Sequence, residues 1–238
     1  ARINPQILLR RHIFLDSLWN RSTVESVQIT MAEDFGVQGR GAFYDHTGTI
    51  RDVIQNHIFQ ILSNLAMEPP VRTDSESIRD EKAKVLKAIA PIEKASLVRG
   101  QFRGYQSEGG VAGGSRTETF AALKVEVNTW RWQGVPFYIP AGKQMPVTCT
   151  EILVRLRRPP DVYHSQESAE QNHIRLRINP EIEIALGMMV MKPAKDIEGR
   201  AVEMLASHHP EADEMDAYER VLGEALPATP RSSRGRTT

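Results

Sequence analysis

The 238-residue sequence predicts an α+β fold built around a mainly antiparallel sheet. Two observations carry that reading: several segments alternate apolar and polar residues at period two, and others repeat apolar residues three and four apart. Val27, Ile29 and Met31 alternate within 24–31, and Leu123, Val125 and Val127 alternate with Lys124 and Glu126. The same period returns in Ile152, Val154 and Leu156 around Arg155, in Ile174, Leu176 and Ile178 around Arg175 and Arg177, and in Ile182, Ile184 and Leu186 around Glu183. Strands with one polar side favour antiparallel pairing, because parallel sheets bury both faces.

Between these strands, Ile50, Val53, Ile54, Ile58, Ile61, Leu62 and Leu65 form the stripe of one helix, which Pro69-Pro70 stops. A second helix is expected after Ser77, with Ile78, Val85, Leu86 and Ile89 on its apolar face, Asp80 at the capping-box position and Pro91 ending it. A third is expected over 216–226. The span 108–115 holds four glycines and predicts a mobile surface loop. No composition break divides the chain, so 1–226 reads as one domain. The Pro-, Ser- and Arg-rich 227–238 reads as a disordered tail, and both ends look incomplete.

Thirty Lys plus Arg balance thirty Asp plus Glu, which leaves no bulk charge to attract nucleic acid or an anionic membrane. No apolar run is long enough to span a bilayer, and the N-terminus has no export signal pattern. The lone Cys149 cannot form an internal disulfide or a structural zinc site, and no histidine pair has ligand spacing. The expectations are a cytoplasmic chain without a metal.

Chemistry concentrates at a few positions. His57 interrupts the apolar stripe, so its ring faces the core side of the helix. Such a ring is either a core histidine satisfied by a backbone carbonyl or a general base that accepts a proton near neutral pH. Asp52 stands near the start of the same helix, and on α-helical geometry lies about 140° around the axis from His57. The two would flank a cavity without pairing. Glu33 follows the first strand, and Lys143 sits at the glycine turn Ala141-Gly142-Lys143. The glycines of 36–41 are not in the dinucleotide-fingerprint order, and no P-loop occurs.

Taken together, Ile50-Arg51-Asp52-Val53-Ile54-Gln55-Asn56-His57, Gly39-Arg40-Gly41-Ala42-Phe43-Tyr44-Asp45 and Ala66-Met67-Glu68-Pro69-Pro70 resemble the C-terminal domain of glucose-6-phosphate dehydrogenases. The resemblance continues through Val98-Arg99-Gly100-Gln101-Phe102, Glu118-Thr119-Phe120-Ala121-Ala122, Gly134-Val135-Pro136-Phe137 and Asp216-Ala217-Tyr218-Glu219-Arg220. It implies a large, mainly antiparallel sheet with helices packed on one face and a homodimer through the sheet. The implied chemistry is NADP-dependent oxidation of glucose 6-phosphate at C1. By the same resemblance His57 matches the base, Glu33 and Asp52 match positions that hold sugar hydroxyls, and Lys143 matches a substrate-binding lysine. Arg51 is expected to hold local structure.

The chain also departs from the family. Thr148 stands where a second basic residue is expected. The family's Arg-Ile-Asp-His-Tyr-Leu-Gly-Lys motif and the N-terminal dinucleotide domain, which would bind most of the NADP and set its preference over NAD, are absent. The chain therefore reads as a catalytic-domain fragment. The rival reading is a non-catalytic oligomerisation module derived from that enzyme.

Overall fold

A computed structural model describes residues 13–158, 171–191 and 199–208. The helix expected over 216–226 and the tail over 227–238 lie outside the described residues. Eight strands form one sheet: β1 (Val24–Ala32), β2 (Leu97–Gly100), β3 (Phe120–Glu126), β4 (Pro136–Gly142), β5 (Cys149–Leu156), β6 (His173–Asn179), β7 (Ile182–Met191) and β8 (Gly199–His208). Their order across the sheet is β2-β3-β4-β1-β5-β6-β7-β8. Every neighbouring pair is antiparallel except β1 and β4. That parallel pair has a direct consequence. Ala32 lies beside Gly142, so the next residues, Glu33 and Lys143, leave the sheet side by side.

The period-two segments occupy the middle strands. There Val27, Ile29, Phe137, Ile139, Ile152 and Val154 are fully buried and meet Ile54, Ile58, Leu62 and Leu65 from the helices. Each such aliphatic side chain contributes roughly 1.5–3 kcal/mol relative to exposure. Three strands, β2, β4 and β8, were not anticipated; β2 is only four residues long, and the other two gave no clear pattern for physical reasons. The edge strand β8 leaves Met204 and Leu205 exposed on its two sides, so it has no buried period to display. β4 carries Pro136 and Pro140, which weaken any strand signal.

The helix that carries His57 departs from expectation. After α1 (Ile13–Leu18), α2 (Gly41–Thr49) breaks at Gly48, whose φ of +69° suits glycine. A Cβ there would lie 2.6 Å from Glu118 Oε1. The chain then winds as a π-helix over Ile50–Ile58 before α3 (Phe59–Ala66), and the Phe59 N–H reaches the Ile54 carbonyl five residues back. Because a π turn advances less per residue than an α-helical one, Asp52 and His57 lie closer around the axis than the 140° of an α-helix, on neighbouring parts of the surface. No hydrogen bond joins them among the described residues.

Two further expectations are corrected. Helix α4 runs Ser75–Lys87 and is capped by Asp74, whose carboxylate accepts from the Ser77 N–H at 2.9 Å and the Ser77 hydroxyl at 2.8 Å. The helix thus starts ahead of Ser77, because Asp74 supplies the earlier acceptor. Leu86 is 39% exposed, and Ile89 lies past the helix in a bridge to Val127. The glycine-rich 108–115 is tied down. The Asp45 carboxylate accepts from Tyr105 Oη at 3.0 Å, from the Ala112 N–H at 3.2 Å and from the Ser115 hydroxyl. Those donors hold Asp45 below the usual carboxylate range, Ser115 foremost. Gly41 packs so closely under this loop that a Cβ would meet the Gly109 carbonyl at 2.3 Å.

Candidate active site

A cavity of about 630 Å³ opens between the His57 helix and the strand ends. That volume suits a small ligand. The helix contributes Asn56, His57, Gln60, Ile61 and Asn64; the end of β1 and its following turn contribute Met31, Ala32, Glu33 and Phe35. Thr148 and Thr150 close it at the start of β5, and Ile178 and Asn179 at the end of β6. His57 is half-buried on this wall, and no hydrogen bond or ion pair holds its ring among the described residues. The backbone carbonyl that a purely structural histidine needs is not supplied.

Behind the cavity wall, Lys143 pairs with the Glu33 carboxylate. Its side chain is only 5% exposed, and its ammonium lies 5.0 Å from the centre of the Phe35 ring and 5.2 Å from that of Tyr44. Both aromatic faces favour the cation there. Backbone bonds from Glu33 N–H to the Gly142 carbonyl and from Met145 N–H to the Glu33 carbonyl lock the two turns together, at 3.0 Å each. Tyr44 is fixed in turn by a 2.7 Å bond between its hydroxyl and that of Thr49. Burial first, then the carboxylates of Asp52, Glu33 and Glu118, push the Tyr44 phenol well above its ordinary range, an effect the Thr49 bond only partly offsets. The phenol stays neutral at working pH.

The helix itself is held at both ends by groups remote in sequence. At its start the buried Glu118 carboxylate accepts from the Ile50 N–H at 3.1 Å, and the Glu118 carbonyl accepts from the Thr49 N–H at 3.0 Å. A carboxylate there satisfies an orphan donor and suits the positive end of the helix. At its finish the indoles of Trp19 and Trp132 donate to the carbonyls of Leu65 and Ala66, each at 2.9 Å. The two rings meet edge to face at 6.0 Å. Thr119 extends the same support, because its carbonyl accepts from the Lys143 N–H at 2.9 Å.

Of the four residues singled out in the sequence, His57 and Glu33 line one cavity and Lys143 reaches it through Glu33. Asp52 is not among the lining residues; it acts on the same region through its field at Tyr44. Arg51 donates to the His46 carbonyl at 3.1 Å, a local structural contact. The polar wall of Asn56, Gln60, Thr150 and Asn179 went unread, because each looks like an ordinary solvated residue in the sequence. Glu118 had a signal only as part of a motif, with nothing to connect it to a helix 68 residues away. Among the described residues no group of three potential metal ligands converges, and no helix is long and apolar enough to cross a membrane.

Comparison with known proteins agrees with this geometry. Residues 9–231 match the family model described as glucose-6-phosphate dehydrogenase, C-terminal domain. The chain is 47% identical over 169 residues to glucose-6-phosphate 1-dehydrogenase 1 of Mycobacterium tuberculosis, which covers 70% of this chain and 36% of that protein. The crystal structure of glucose-6-phosphate 1-dehydrogenase from Mycobacterium avium superposes with a TM-score of 0.83 at 38% identity, over 92% of this chain and 48% of that one. A structure of glucose-6-phosphate dehydrogenase in complex with its substrate glucose-6-phosphate superposes with a TM-score of 0.78 at 35% identity, over 86% and 43%. The chain thus spans between about a third and a half of the length of these relatives. With the sheet, the His57 helix and the family model in agreement over most of its length, this chain belongs to the glucose-6-phosphate dehydrogenase C-terminal domain family.

Proposed function

We propose that this chain is the sugar-binding, base-carrying part of an enzyme that oxidises glucose 6-phosphate at C1 to 6-phosphogluconolactone with NADP as hydride acceptor. The observation that carries the proposal is His57, a half-buried imidazole with no partner among the described residues, in the same cavity as Glu33. His57 takes the proton of the C1 hydroxyl as C1 gives up hydride and its bond to oxygen becomes a carbonyl. Glu33 and Asp52 accept from sugar hydroxyls, and Lys143 fixes Glu33 for that task. The described residues do not fit a dinucleotide: the helix N-terminus nearest the cavity is already filled by the Glu118 carboxylate, which would repel a pyrophosphate. The acceptor belongs to a domain outside them. A cytoplasmic setting is part of the same proposal and rests on the single free Cys149.

The test is a fusion of this chain to the dinucleotide-binding half of the Mycobacterium avium relative, assayed by NADPH absorbance. His57→Asn should lower turnover by roughly 10² to 10⁴-fold with KM changed less. Turnover within about threefold of the unsubstituted fusion would sink the assignment.

A homodimer through the sheet is the second element. On the face away from the helices, Arg175 pairs with Glu203 at 2.8 Å and Glu183 at 3.4 Å, and Arg177 pairs with Glu183 at 2.9 Å and Glu151 at 3.3 Å. With its charges compensated internally, such a face loses little on being covered by a copy of itself. Sedimentation at micromolar concentration should show a dimer; monomer alone would count against it.

A further inference from the structure

An unbroken helix through 41–58 would join the Thr49 N–H to the Asp45 carbonyl and the Ile50 N–H to the His46 carbonyl. Here all four groups have other partners, most of them from the segment that leads into β3. The Thr117 hydroxyl donates to the Asp45 carbonyl at 2.7 Å. The Glu118 carbonyl accepts from the Thr49 N–H at 3.0 Å, and its carboxylate accepts from the Ile50 N–H at 3.1 Å. Arg51 completes the set by donating to the His46 carbonyl at 3.1 Å. Thr117 and Glu118 therefore stand in for the missing helical bonds, at the point where Gly48 leaves helical geometry with φ +69° and ψ 173°. The splice leaves no room for a side chain: a Cβ on Gly48 would lie 2.6 Å from Glu118 Oε1 and 3.1 Å from Thr117 Cγ2. The Thr49 hydroxyl strengthens it, bonding Tyr44 Oη at 2.7 Å and donating to the Glu118 carbonyl at 3.3 Å.

We propose that Glu118 is a positioning residue for His57: its carboxylate, seated on the Ile50 N–H, fixes where the second helix starts, selects the π winding and so sets the direction of the His57 ring. The consequence for catalysis rests on the reading of His57 as the base given above. The far end of this helix is already fixed, because Trp19 and Trp132 hold the Leu65 and Ala66 carbonyls. With both ends pinned, the residues between them must fit a set span. A turn that closes five residues back instead of four takes in one residue more. The bond from the Phe59 N–H to the Ile54 carbonyl is the mark of that turn. Released at Glu118, residues 50–58 relax to the commoner α winding, and His57 rotates relative to the cavity wall it lines. The role depends on reach more than on charge, since what the helix start needs is an acceptor at one point. An amide of the same length supplies it, and a carboxylate one methylene shorter does not.

The experiment follows the full 238-residue chain by NMR. It reads the scalar coupling across the hydrogen bond from the Phe59 amide nitrogen to the Ile54 carbonyl carbon, together with the positions of the His57 ring resonances. Glu118→Gln should keep both as in the parent. Glu118→Ala should lose the coupling to Ile54, gain one to the Gln55 carbonyl and shift the His57 ring, while an unmoved Trp132 indole proton shows that the fold persists. Where Glu118→Ala fails to fold, Glu118→Asp decides the point, because it keeps the charge and withdraws the acceptor; it should show the same loss and the same shift. Retention of the Ile54 coupling in a folded Glu118→Ala or Glu118→Asp chain, or its loss in Glu118→Gln, would overturn the proposal. In the fusion assayed for His57→Asn, Glu118→Asp should lower turnover by about 10- to 100-fold, and Glu118→Gln by less than about threefold. A loss under about threefold in Glu118→Asp beside the full loss in His57→Asn would overturn the positioning role and leave the base assignment intact. Full turnover in His57→Asn itself would overturn the base assignment, and the catalytic part of this proposal with it.

Discussion

The groups that hold the His57 helix and the groups that line its cavity differ in almost every physical respect. The holding groups, Trp132, Glu118 and Tyr44, are at most 9% exposed, and each is hydrogen-bonded: Trp132 and Glu118 to partners remote in sequence, Tyr44 to Thr49 at the end of its own helix. The lining groups, His57, Asn56 and Gln60, are half-buried or exposed and stand on the helix itself. A helix clamped at its two ends can afford an irregular middle, and the π turn falls there, between Thr49 and Phe59. On the function proposed above, position is set by buried residues outside the cavity, while recognition falls to the half-buried and exposed residues that line it.

Substitutions can break this division. Trp132→Ala should have the largest effect, about 3–5 kcal/mol in urea unfolding, because it empties a fully buried ring site and orphans the Ala66 carbonyl. A cost under about 1 kcal/mol would mean that the indole clamp is incidental. Lys143→Met comes next, at about 2 kcal/mol. It strands the Glu33 carboxylate, and the usual cost of breaking a buried pair is reduced because Glu33 is 33% exposed. His57→Asn should be the smallest, within about 0.5 kcal/mol, although it removes turnover in the fused enzyme. If His57→Asn destabilised as much as Lys143→Met, His57 would belong with the holding groups and its role as a base would lose its support.

The same contrast explains what could be read from the sequence. Period-two strands were legible at Val27 to Met31 and at Ile152 to Leu156 because one face of the sheet is covered by helices and the other is not. The stripe from Ile50 to Leu65 was legible for the same reason. The π turn was not, since a stripe of Ile54 and Ile58 reads alike in either winding. The clamps were invisible because Glu118 and Trp19 act on partners 68 and 46 residues away. Within the site, His57 stood out as the one ring in an apolar stripe. Glu33 and Lys143 came from the family resemblance, and their meeting depends on the parallel β1–β4 pair, which no local pattern announces. The amides of Asn56 and Gln60 carry no distinguishing signal at all.

A crystal structure of the 238-residue chain with glucose 6-phosphate decides whether His57 is the base. The sugar ring should lie in the cavity of His57 and Glu33, with the C1 hydroxyl oxygen about 2.6–3.2 Å from a His57 ring nitrogen. A ring bound elsewhere, or bound in that cavity with C1 turned away from His57, would contradict it.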